Sequence, residues 1–151
     1  MSRKEADKIG YSTSFTQGIT LLLTIYSLNE ANGVQTIPTK LLAAYAGIPF
    51  ASAVKTLKSL SAAGITTTKE GAGGGSVLAK PVSEITLLDI FLAVEQDATL
   101  FKMHTGINCD QSHVDGLKKR VEACISKVAE AMKESLRSVT LDNIWMGRKL
   151  P

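Results

Sequence analysis

The stretch from Gly71 to Glu95, GAGGGSVLAKPVSEITLLDIFLAVE, constrains this chain more than any other. A run of glycines cannot sit inside a helix or a strand without loss of stability, so Glu70 to Gly75 reads as the tip of a turn. On one side lies Ile65 to Lys69, rich in β-branched residues, and on the other the short extended run Ser76 to Ala79. The pair predicts a two-stranded hairpin closed by Pro81.

Ahead of the hairpin the apolar spacing is helical. Ile19, Leu22, Leu23 and Tyr26 predict an amphipathic helix over Thr16 to Ala31, ended by Asn32 and Gly33. A second helix is expected from Pro38 to Ala46, with Leu41, Leu42 and Tyr45 on one face, because proline is tolerated in a first turn. Gly47 permits a sharp turn into a third helix from Pro49 to Ala63, stopped by Gly64. There Ala53, Val54, Leu57 and Leu60 are expected to point inward, leaving Ser52, Lys55, Thr56 and Ser59 on the outer face. Helix, turn, helix and glycine-tipped hairpin, in that order, make the layout of a winged DNA-binding head.

Behind the hairpin, Ile85 to Gln96 reads as a short apolar helix capped by Ser83 or Thr86, followed by a weakly patterned loop from Thr99 to Ser112. From Gln111 to Val139, Val114, Leu117, Val121, Cys124, Ile125, Val128, Met132, Leu136 and Val139 recur at spacings of three and four. A helix of that length, about 40 Å, outruns a small head and exposes a continuous apolar stripe unless a second chain covers it. The expected interface residues are Val121, Ile125, Val128 and Met132, and Cys124 on the same stripe is expected to be a small core residue. The fold class is mainly α with a small two-stranded β wing. Its parts are a winged helix-turn-helix head over residues 9–81, a connecting helix and sensor loop over 82–110, and a dimerisation helix with its tail over 111–144.

Charge divides in the same way. Residues 1–80 carry eight Lys and Arg against four Asp and Glu, and residues 81–151 carry nine against ten. A basic front half suits nucleic acid. No apolar run approaches the roughly 20 residues that cross a bilayer, and Met1 to Gly10 lacks the apolar stretch of a signal peptide. The two cysteines, Cys109 and Cys124, form neither a disulfide framework nor a metal-ligand spacing, so a reduced, cytoplasmic protein is expected. His104, Cys109 and His113 match no tight zinc motif, and GAGGGS lacks the lysine and hydroxyl residue of a phosphate loop. No nucleophile, base and orienting acid stand together, so an enzyme is not expected.

The ordered string of Gly71 to Gly75 (GAGGG), Leu78 to Pro81 (LAKP), Glu84 to Ile90 (EITLLDI) and Ala93 to Glu95 (AVE), with Thr140 to Ile144 (TLDNI) at the end, resembles the Rrf-type family of bacterial transcription regulators. Members of that family include the iron–sulfur cluster regulator and the cysteine-metabolism repressor. The resemblance covers the chain from about Phe15 to Ile144. It implies a homodimer, acting as a repressor on a near-palindromic operator in double-stranded DNA. The third helix would enter the major groove with Ser52, Lys55, Thr56 and Ser59, and the wing would approach the sugar–phosphate chain with Lys69, Gly73 and Gly74. Two departures matter. Glu70 stands where many members carry an arginine before the wing glycines. Cluster-binding members carry three closely spaced cysteines where this chain has Cys109 alone, so no cofactor is expected and Cys109 becomes the candidate thiol for an oxidant-sensing role. A small-molecule or oxidant effector and a head that docks protein rather than DNA are the remaining alternatives.

Overall fold

In the computed structural model the described residues are 13–33, 35–95 and 111–148. Helix α1 (Ser14–Asn32) is followed by α2 (Thr39–Ala46), α3 (Phe50–Ala62), strands β1 (Thr66–Lys69) and β2 (Gly75–Leu78), and a 3-10 turn (Val82–Glu84). Then come α4 (Leu87–Val94), α5 (Gln111–Arg137) and α6 (Leu141–Trp145). The mainly helical fold with one antiparallel hairpin is the one expected.

Helix α1 lies at the centre of the head, in contact with α2, α3, α4, β2 and α6. Being covered on several sides, it is apolar on more than one face. Leu21, Leu22 and Ile25 are fully buried, while Ile19, Leu23 and Tyr26 are only partly so. Of the expected stripe Leu22 is fully buried and the other three pack against the core, while Leu21 and Ile25, outside that stripe, complete the buried face. Helix α2 differs too: Leu42 and Ala43 face the core, whereas Leu41 and Tyr45 are exposed, because only α1 and α3 cover this short helix substantially.

Gly47 ends α2 at φ 65°, a left-handed conformation that a side chain disfavours, and its N–H donates to the carbonyls of Ala43 and Ala44. That turn aims α3 across α1. Pro49 precedes α3 as its cap residue, one position outside the expected start.

The hairpin pairs Thr66 with Leu78, Thr67 with Val77, Thr68 with Ser76 and Lys69 with Gly75. A third segment, not foreseen, joins it: Ile37 N–H donates to the Ser76 carbonyl at 3.2 Å and Ser76 N–H to the Ile37 carbonyl at 2.9 Å. A Cβ at Gly75 would collide with the Ile37 carbonyl, so this glycine is required by the crossing of two backbones within the chain.

Helix α4 begins at Thr86, one of the two expected caps. The Thr86 hydroxyl accepts from Asp89 N–H at 3.1 Å, and the Asp89 carboxylate accepts from Thr86 N–H at 2.9 Å, a reciprocal capping box. Thr140 and Asn143 repeat the device at the start of α6. The two helix starts lie side by side, since Leu87 N–H donates to the Val139 carbonyl at 2.9 Å and Leu141 N–H to the Ile85 carbonyl at 3.0 Å. Leu141 is fully buried in the same cluster as Leu21, Ile25 and Ile90, and Trp145 meets Tyr26 edge to face with ring centroids 5.2 Å apart. The tail thus belongs to the core of the head. Leu141→Ala is expected to cost about 2–5 kcal/mol, the range for emptying a close-packed leucine site. Urea unfolding checks this, and a change below about 0.5 kcal/mol, ordinary for a surface site, would refute the tail's place in the core.

Candidate nucleic-acid interface

The geometry of α3 decides which side chains can meet a partner. Ala53, Thr56, Leu57 and Leu60 are buried at successive intervals of three, one and three residues, a single helical stripe. Thr56 is 4% exposed. It packs toward Gly18, where an added Cβ would lie 3.8 Å from the Thr56 methyl carbon and 3.0 Å from Ile90 Cγ2. The expected placement of Thr56 on the outer face is corrected by this contact, in which its methyl acts as an apolar group. Val54, expected inward, is 42% exposed.

The outer face consequently consists of Ala51, Val54, Lys55 and Lys58, with Phe50 exposed in the first turn and Ser52 and Ser59 half-buried at the margins. Lys58 went unnoticed in the spacing because Leu57 beside it reads as core; one turn on from Lys55 it presents a second charge. Between Glu30 and Glu70 the sequence holds Lys40, Lys55, Lys58 and Lys69 and not one carboxylate. Among the described residues no ion pair engages Lys55 or Lys58, whereas Lys133 with Glu130 and Arg137 with Glu134 pair on α5.

Lys69 ends β1 in an exposed position opposite Gly75, next to Glu70. Gly73 is exposed at the tip with φ 76°, and its carbonyl accepts from the Thr36 hydroxyl at 2.7 Å. Gly74 is half-buried, and a Cβ there would collide with the Lys69 carbonyl. The tip glycines thus have reasons inside the chain as well as any outside it.

On α5, Val121 is 42% and Val128 49% exposed, and Leu117 is also exposed; Ile125 and Met132 are half-buried. Cys124, expected as a small core residue, is exposed in the single chain. Cys109 and His104 lie outside the described residues, and so does the proposed sensor loop except for Gln111 and Ser112, which are helical.

The described residues contain no group of three His, Cys, Asp or Glu side chains placed to hold a metal. With two cysteines in the whole sequence, one of them exposed on the long helix, a single chain does not fit the roughly four thiolates of a standard iron–sulfur cluster. No described helix is long and apolar enough to cross a membrane.

Comparison with known proteins agrees with this architecture. Protein aau3 of Rhizobium meliloti (strain 1021) is 31% identical over 94 residues, 62% of this chain and 60% of that protein, so the match spans about three-fifths of the curated relative. The solved structure of T. potens IscR superposes with a TM-score of 0.59 at 21% identity, over 94% of this chain and 90% of that one. CymR of B. subtilis, described as the global cysteine regulator of that organism, gives 0.64 at 23% identity, over 93% and 99%. The two structural likenesses each cover more than nine-tenths of this chain. The family model named Rrf2, described as an iron-dependent transcriptional regulator, matches residues 11–146, and the chain belongs to that family.

Proposed function

We propose that this protein is a homodimeric repressor that binds a near-palindromic operator, with α3 of each subunit in the major groove and the wing against the neighbouring backbone. The observation that carries the reading is the outer face of α3, where Lys55 and Lys58 have no ion-pair partner among the described residues and lie in a stretch free of carboxylates. Lysines so placed exchange condensed counterions for phosphate contacts, and affinity then falls steeply with salt. The exposed apolar stripe of α5 supports pairing of two chains, which would space two heads for two half-sites. The chemistry is binding rather than catalysis, carried out by a soluble protein in the cytoplasm.

The exposed faces of Leu41 and Tyr45 on α2 favour a second reading, in which the head docks another protein. Selection from a random duplex library by the full-length chain, repeated across a series of salt concentrations, separates the two. A regulator enriches a sequence with two related half-sites and loses it as salt rises. A docking module enriches nothing, and that result would overturn the DNA reading.

A further inference from the structure

The outer face of α3 carries a chemistry that lysines alone do not explain. Phe50 is 56% and Val54 42% exposed, and Ala51 between them is exposed as well. Val54 lies one helical turn from both Phe50 and Ala51, so the three side chains form one apolar patch on the first turn and a half. Lys55 and Lys58 continue the same face toward the C-terminal end. A helix face turned to water is normally polar, and this one is apolar where it begins and basic where it goes on.

Lysine apart, the residues that read bases most specifically by hydrogen bonds are missing. From Phe50 to Ala62 there is no Arg, Asn, Gln, Asp or Glu. The bidentate contacts of arginine to guanine and of asparagine or glutamine to adenine, and the carboxylate that accepts from cytosine N4, are therefore unavailable to this helix. Lysine supplies a mobile point charge, suited to phosphate or to the guanine edge, but without the planar fork. One apolar feature exists on the floor of the major groove, the C5-methyl group of thymine.

We propose that Phe50, Ala51 and Val54 read thymine methyl groups, so that operator half-sites are specified by the positions of thymines, while Lys55 and Lys58 hold the adjacent backbone or a guanine edge. The inference rests on the DNA-binding reading. Its occupant is the major groove rather than protein because the apolar patch is continuous with two lysines that have no ion-pair partner among the described residues, in a stretch of sequence without carboxylates. Removing one contacted methyl removes about one buried carbon, which corresponds to about a fourfold loss of affinity.

The test uses the full-length chain and the duplex it enriches from a random library. Each thymine is replaced singly by deoxyuridine, which keeps every hydrogen-bonding group and deletes only the methyl. Loss of about fourfold at two or more positions within each half-site, and no loss at flanking thymines, is the expected result. Val54→Ser, at an exposed position that does not support the core, should bind the thymine duplex more weakly and be indifferent to deoxyuridine at one of those positions. Wild-type affinity unchanged by every deoxyuridine overturns the inference and leaves DNA binding standing. A Val54→Ser protein as sensitive as wild type at every position overturns the role of Val54. If no duplex is enriched, the DNA-binding reading fails and this inference with it.

Discussion

Val128→Asp is expected to leave the chain monomeric at micromolar concentration while its fold persists. Val128 is 49% exposed in the single chain, so an aspartate there costs the head nothing in packing. In a pair of α5 helices the same carboxylate would be buried without a partner, at a cost of several kcal/mol on each side. If, as proposed, the pairing of α5 spaces the two heads for two half-sites, operator affinity should fall with it. Sedimentation velocity with circular dichroism checks the expectation. A variant that stays dimeric, or a wild type that is monomeric at the same concentration, would show that the stripe of Leu117, Val121 and Val128 has another use.

The double replacement Lys55→Ala, Lys58→Ala should weaken binding to every duplex, specific or not, without altering thermal stability. Both side chains are exposed and neither is held by an ion pair among the described residues. If each meets a phosphate, the slope of log affinity against log salt should become shallower by about 0.9 per lysine, or about 2 for the pair. Fluorescence anisotropy over a range of salt reads that slope directly. An unchanged slope would remove α3 from the backbone contacts, and a loss confined to one base position would instead assign the lysines to a guanine edge.

Most of the element order could be read from residues close together in the chain, because the signals that set it are local. Helical spacing marks α1 to α5, glycines mark the turns at Gly33 and Gly47 and the wing tip, and the place before an apolar run offers Ser83 or Thr86 as a cap, of which the structure uses Thr86. The orientation of each helix about its axis was less legible. Threonine and valine are nearly equal in shape, so sequence alone exchanged Thr56 and Val54, and the exposed lysine at 58 was missed with them.

What the sequence by itself determined is the succession of helix, turn, helix, wing and long helix, and with it the family resemblance. Both rest on periodicity and on glycines whose backbone conformations few other residues adopt. Only the tertiary structure decided which way α3 faces, that Ile37 joins the wing, and that Leu141 returns to the core of the head. Each of these depends on partners distant in sequence: Thr56 is drawn inward by the space at Gly18, Ile37 by the exposed edge of β2, and Leu141 by the paired helix starts at Thr86 and Thr140. A stretch of chain read alone carries its own period and its own turns, but the neighbour that selects the buried face is set by packing across the whole head.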